Sequence, residues 1–133
     1  MISINNDFKN TEEYQKFINE NPSIGYLKIK AYSANEAVPI SNLKIIVSKV
    51  IDSNRVIFFE GSTNESGIIE RIELPAPLLN PNNLDAPLST IYDIDSFYNN
   101  VDRKYSVRIF DNVYVVQTIN VIPNNIMRGN YGN

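Results

Sequence analysis

Two residue types are missing from the sequence altogether: cysteine and histidine. Without cysteine the chain forms no disulfide, no thiolate-ligated zinc or iron–sulfur centre and no thiol nucleophile, and its redox compartment stays open. Without histidine it lacks the commonest general base, the commonest imidazole metal ligand and every Ser-His-Asp or Cys-His arrangement. Glycine is scarce, at 5 residues, while Asn, Ile and Lys are plentiful, a bias typical of AT-rich bacterial genomes. There is also no basic stripe. The 12 cationic and 15 acidic residues are interspersed, for a net charge of −3, so nothing favours phosphate neutralisation and nucleic acid is not an expected partner. No apolar run approaches the roughly 18 residues a spanning helix needs, and the N-terminus shows no basic flank followed by an apolar stretch. Membrane insertion and a signal peptide are therefore not expected.

What is present suits one domain. A chain of 133 residues, 43% hydrophobic, buries about two-thirds of its unfolded surface on folding and needs no covalent staple. In "NTEEYQKFINENP", Asn10 followed by Glu13 has the spacing of a capping box, and Tyr14, Phe17 and Ile18 share one face. The reading is a short helix from about Thr11, stopped at Pro22. From Ser23 the period becomes two. "GYLKIKAYS" puts Leu27, Ile29 and Ala31 on one side and Tyr26, Lys28, Lys30 and Tyr32 on the other. "LKIIVSKV" continues with Leu43, Ile45 and Val47 inward, followed by the short run "RVIFFE". "GIIERIEL" directs Ile72 and Leu74 inward, with a bulge or two-sided start suggested by the adjacent Ile68 and Ile69. Pro75, Pro77, Pro81 and Pro87 mark a long loop that begins where the strand stops. "TIYDI", "KYSVRIF" and "VYVVQTINVI" supply three further strands, the last two joined by Asp111-Asn112, a pair suited to a tight hairpin.

The expected fold is thus mainly all-β: a seven-stranded antiparallel β-sandwich with one short N-terminal helix. The expected organisation is a helical extension over 1–22, the sandwich over 23–123, and a flexible tail over 124–133. Open edge strands leave the oligomeric state undecided.

The ordered landmarks "GYLKIKAYSANEAVPISNLKIIV", "TNESGIIERIELPAP", "TIYDI" and "VRIFDNVYVVQTINVIP" resemble the transthyretin-like or carboxypeptidase-regulatory-like sandwich domains. They are similar in particular to N-terminal domains of clostridial spore cortex-lytic and peptidoglycan-binding proteins. The resemblance covers roughly Gly25 to Pro123. It implies a transthyretin-like sandwich with no activity of its own, an accessory unit beside a cell-wall or spore-cortex hydrolase in the spore or cell envelope. It also implies a protein or cell-wall polymer as partner, with no cofactor, no metal and no catalytic residue. Two features depart from the pattern. Leu74-Pro75 leads into the proline-rich loop rather than a glycine-rich step with an early tyrosine, Tyr92 coming much later, and the helix lies outside the generic sandwich.

Three groups of residues invite a functional reading. "TNESG" reads as a turn, with Thr63, Asn64 and Ser66 bonding nearby backbone and Gly67 free to take positive φ. Asp93, Asp95 and Asp102, with Asp52 and Asp85 elsewhere, lack the dense spacing of a calcium loop and read as solvated charge. The outward row of Tyr26, Lys28, Lys30 and Tyr32 is the candidate binding face. Its aromatic faces and cations have the chemistry to meet sugar rings or an anionic polymer. The competing reading of that row is an ordinary solvated strand face or a seat for the N-terminal helix.

Overall fold

The computed structural model of the chain describes residues 3–4, 6–33, 38–80, 82 and 88–121. Two-residue alternation of apolar and polar side chains dictates its architecture, because each strand can bury only one face and needs a second sheet to bury it against. Seven strands of seven residues or more are present: β2 (Ser23–Ser33), β4 (Lys44–Ile51), β5 (Asn54–Ser62), β6 (Ile68–Ala76), β7 (Thr90–Tyr98), β8 (Val101–Ile109) and β9 (Tyr114–Asn120). Two short strands, β1 (Ser3–Ile4) and β3 (Val38–Pro39), were not anticipated. The first sheet runs β1-β5-β4-β7-β8, and in the second β2 is flanked by β6 and β9, with β3 on its far end. Between them lie Leu27, Ile29 and Ala31 from β2, Ile45 and Val47 from β4, Ile72 and Leu74 from β6, Tyr92 and Ile94 from β7, Val107 and Ile109 from β8, and Ile119 from β9. The expected inward residues of β2, β4 and β6 all lie in this core. Each fully buried aliphatic side chain contributes roughly 1.5–3 kcal/mol relative to exposure.

The sandwich is not wholly antiparallel. β9 runs parallel to β2, from Tyr26 opposite Tyr114 to Tyr32 opposite Asn120, and β1 runs parallel to β5. Asp111-Asn112 is therefore no hairpin. Asn112 does take a positive φ of 57°, but the turn carries the chain from one sheet to the other, so that the β8 and β9 inner faces meet across the core. The tight hairpins lie elsewhere: Asp52-Ser53 joins β4 to β5 and Asn99-Asn100 joins β7 to β8, all four residues at positive φ. Such pairs match the twist of the strands they join.

Two further expectations needed correction. Pro75 does not end its strand: β6 continues through Pro75 to Ala76, paired with Ile24 and Ser23. An edge strand tolerates proline because its missing N–H can face away from the ladder, and the Pro75 carbonyl accepts the Tyr92 hydroxyl at 2.5 Å. The irregularity in β6 falls after Ile69 rather than at Ile68-Ile69. Leu27 faces Ile72 and Ile29 faces Ile69, so two residues of β6, Glu70 and Arg71, oppose Lys28 alone. That bulge lets Ile69 and Ile72, three apart, both point inward.

The helix α1 (Glu12–Glu20) is capped one residue later than expected. Thr11 Oγ1 accepts the Tyr14 N–H at 3.3 Å, while Asn10 closes a preceding 3-10 turn, Asn6–Asn10. Its apolar stripe packs on the first sheet: Phe17 and Tyr14 lie 5.8 and 6.4 Å from Phe58, whose ring meets Tyr92 edge-on at 5.2 Å. At the other end Asn21 donates to the Phe17 carbonyl and accepts from the Thr90 hydroxyl. The helix thus packs on the core side of the first sheet, away from the candidate row, and no described residue covers the outer face of the second sheet.

"TNESG" is a corner. Asn64 Oδ1 accepts the N–H groups of Ser66 and Ile68 at 2.9 and 3.0 Å, and the Thr63 hydroxyl donates to the Ile40 carbonyl at 2.6 Å. Gly67 holds φ at 74°, where an added Cβ would stand 2.5 Å from the Ala31 carbonyl oxygen. Gly67→Ala should therefore cost roughly 1–3 kcal/mol through backbone strain and overlap, read as a lower urea midpoint with an unchanged m-value. A midpoint equal to the parent's would refute this assignment.

Candidate binding face

The outward row of β2 becomes a surface only through its neighbours. Tyr26, Lys28, Lys30 and Tyr32 alternate with buried Leu27, Ile29 and Ala31, and all four are half-buried rather than free. On one side the parallel β9 sets Tyr114 beside Tyr26, their rings 5.6 Å apart and 25° from parallel. On the other side the β6 bulge sets the Arg71 guanidinium 4.4 Å from the centre of the Tyr26 ring. Arg71, Tyr26 and Tyr114 therefore form a cation–aromatic–aromatic ladder across three strands. The Tyr114 hydroxyl reaches over β2 to donate to the Glu70 carbonyl at 2.7 Å, which fixes the ring against the sheet.

The charges on this face are mostly matched. Lys28 pairs with Glu70 at 3.2 Å and Arg71 with Glu73 at 3.0 Å, exposed contacts worth about 0–1 kcal/mol each. Lys30 pairs with no carboxylate among the described residues and lies 5.6 Å from the Tyr32 ring centre. Lys28 and Arg71 are thus matched by Glu70 and Glu73, which leaves Lys30 as the free cation of the row among the described residues. Tyr26 and Tyr32, six residues apart, stand about 20 Å from each other, so they cannot share one ring-sized ligand.

Beside Tyr26 the face opens into a cavity of about 590 Å³ lined by Pro22, Ser23, Ile24, Tyr26, Leu79, Asp111 and Asn112. The cavity joins the tyrosine row to the start of the proline-rich loop. Asp111 organises that junction: the Ser23 hydroxyl donates to one carboxylate oxygen and the Leu79 N–H to the other, at 2.9 Å for the latter. These bonds, the Ser23 one foremost, hold its carboxyl below the usual carboxylate range. Pro81 and residues 83–87 of the loop, Asp85 and Pro87 among them, lie outside the described residues, as does the expected tail over 124–133.

The carboxylates on the outer face of the first sheet behave differently from expectation. Asp95 is not solvated; its side chain is 5% exposed and paired with Arg55 and, at 2.9 Å, with Lys104. Lys104 also reaches Asp102 at 3.2 Å, and Arg55 Nε donates to Ser48 Oγ at 3.1 Å. The hydrogen bonds to Asp95 and Asp102 hold the Lys104 ammonium above its ordinary pKa. Asp93 stays exposed, as expected. Alternation along β7 fails to reveal the Asp95 pairing because its partners come from β5 and β8.

No family model matches the chain, and no curated protein matches it. Among solved structures, 5-hydroxyisourate hydrolase of Klebsiella pneumoniae is similar, with a TM-score of 0.52 and 12% identity over 75% of this chain and 91% of that one. The fold is transthyretin-like. The transthyretin-like part of the sequence resemblance therefore stands. One implication of it does not: the expectation that a chain of this fold is not an enzyme is overturned, because a solved structure with the same fold is itself a hydrolase. The missing histidine and cysteine exclude particular mechanisms, not catalysis. At 12% identity the likeness carries the fold and no individual residue.

Sequence reasoning found the β2 row and missed Tyr114 and Arg71. The signal for Tyr114 was its exposed place at the start of a strand, but assigning that strand to a hairpin with β8 put it in the wrong sheet. Arg71 depends on the bulge.

Two outcomes test this geometry. Because the folded-state pKa of Asp111 is depressed, its anchoring is complete above the ordinary carboxylate pKa of about 4 and is lost as pH falls through the lower folded value. The Leu79 amide resonance should hold its position from neutral pH to about 5 and move on further acidification; an Asp111→Asn variant that shows the same step would contradict it. Separately, Arg55→Met leaves the buried Asp95 carboxylate with one exposed partner and should destabilise the fold by about 3 kcal/mol. Adding Asp95→Leu should recover most of that loss in the same chemical denaturation experiment.

Proposed function

We propose that this chain is a binding domain for an extended, sugar-containing anionic polymer of the bacterial cell wall, which it engages through the outer face of the second sheet. One observation carries the reading: the outer face of the second sheet, which has no cover among the described residues, bears the Arg71–Tyr26–Tyr114 ladder beside Lys30, which has no carboxylate partner among them. Aromatic rings offer flat apolar platforms and cations attract the anionic groups of such a polymer. The spacing of Tyr26 from Tyr32 suits an elongated chain over a single small molecule. In this reading the domain acts as an accessory unit that holds a cell-wall or spore-cortex hydrolase against its substrate.

A second reading has its own support. Val116, Val113, Ile24, Leu78 and Leu79 are exposed close to the tyrosines, at 43–60% of their full accessible area, and an apolar patch rimmed by charge is a frequent protein-docking surface. Here the partner is the hydrolase itself, seated directly on the face.

Co-sedimentation with purified cell wall or spore cortex separates these. The parent chain should pellet, and Tyr26→Ala with Tyr114→Ala should weaken binding at least tenfold, equivalent to about 1.4 kcal/mol. Val116→Asn, which adds no charge beside Lys28, should leave polymer binding nearly intact but weaken capture of a protein partner. Unchanged pelleting of the double tyrosine variant rules out the polymer reading. Turnover of 5-hydroxyisourate, the substrate in the neighbour's name, should be measured alongside; activity lost with the two tyrosines would reassign the face from binding to catalysis.

A further inference from the structure

Ser96 and Arg103 stand directly opposite each other on β7 and β8. Alternation puts Ser96 on the same side as Tyr92 and Ile94, and Arg103 on the same side as Val107 and Ile109, so both face the interior. Ser96 is 1% exposed. Its Oγ and the Nε of Arg103 are both buried with no hydrogen-bond partner among the described residues. A hydroxyl shut away from water without a partner is costly, and a guanidinium N–H more so; two such groups side by side on adjacent strands need a common explanation.

The other described arginines are engaged. Arg55 pairs with Asp95, Arg71 with Glu73, and Arg108 donates to Ser89 Oγ at 3.2 Å. The nearest carboxylates in sequence, Asp95 and Asp102, point to the outer face and are held by Arg55 and Lys104, so they cannot neutralise Arg103. The pair sits near the end of the sandwich where the Thr63 hydroxyl and the Ile40 N–H tie the loops to the start of β4 and the end of β2. Both free groups can donate, and a planar guanidinium fork beside a hydroxyl matches the paired oxygens of a carboxylate or phosphate.

We infer that Ser96 and Arg103 form a receptor for one oxyanion group, a carboxylate or phosphate borne by a soluble ligand, entering at this end of the sandwich. The site is independent of the tyrosine face: it lies on the other sheet and stands whether or not that face binds polymer.

The test is an NMR titration of the full chain, following the Arg103 Nε–Hε and Ser96 amide resonances with acetate and with inorganic phosphate, and with sodium chloride as the control for ionic strength. The expected result is a saturable shift of both resonances with a millimolar or tighter dissociation constant, while the Nε–Hε signals of Arg55 and Arg71 move little. Saturation by acetate alone identifies a carboxylate ligand, by phosphate alone a phosphate; either supports the receptor. Arg103→Gln should abolish the Ser96 response, Arg103→Lys should weaken it about tenfold, and Ser96→Ala should weaken the Arg103 response severalfold. If Arg103→Gln fails to fold, the parent and Arg103→Lys titrations decide. Linear, unsaturated shifts, shifts reproduced by sodium chloride, or an Arg103 Nε–Hε that exchanges slowly without added anion and ignores both probes would overturn the proposal.

Discussion

The structure depends above all on the burial of one side of β2. Leu27, Ile29 and Ala31 have no solvent exposure, and β2 is paired on both flanks, antiparallel to β6 and parallel to β9. A strand in that position has no freedom to slip: a shift of one residue would drive Tyr26, Lys28, Lys30 and Tyr32 into the core and expose three apolar residues. Burial of the inner row therefore fixes the outer row in place. The close approach at Gly25 adds to this, since a Cβ there would overlap the Phe110 carbonyl and the Ile109 side chain, and that contact sets the turn that switches the chain from β8 to β9.

From that constraint the division of labour between the sheets follows. The first sheet is loaded with internal structure: the helix on its β5 side through Phe17, Phe58 and Tyr92, and the Asp95–Arg55–Lys104 cluster on its outer face. A buried ion cluster of this kind adds little net stability against an apolar alternative, but it strongly penalises loss of any one partner, which makes it a register lock for β5, β7 and β8. The second sheet carries no such cover among the described residues. Its outer side chains are held by local contacts, the Lys28–Glu70 pair and the Tyr114 hydroxyl bond among them, so the rings are ordered before any partner arrives. Such order lowers the entropic cost of binding.

Local patterning made much of this legible in advance. The inward residues of β2, β4 and β6, the helix stripe and the turn at Gly67 follow from periodicity and turn chemistry, which act over a few residues. What escaped is non-local. The parallel docking of β9 on β2 requires knowing that Asp111-Asn112 changes sheets, yet the same two residues would close a hairpin equally well. The pairing of Asp95 comes from two other strands, and the position of the β6 bulge is decided by whether Ile69 or Ile68 faces Leu74's side of the sheet. Pro75 was misjudged because edge or centre is a property of the sheet and not of the strand. The candidate binding face follows the same rule: Tyr26 is visible as half of a pair whose other half, Tyr114, lies 88 positions along the chain.

The central claim is that the outer face of the second sheet, and not the first, is where this transthyretin-like domain meets its partner. The most direct measurement is residue-resolved NMR of the labelled chain with soluble wall-glycan fragments. Broadening or shifts confined to the outward residues of β2, β6 and β9, centred on Tyr26, Arg71 and Tyr114, are what the account predicts. Perturbations centred on β7 and β8 around Asp95 and Lys104, or on the helix, with the tyrosine face silent, would contradict it.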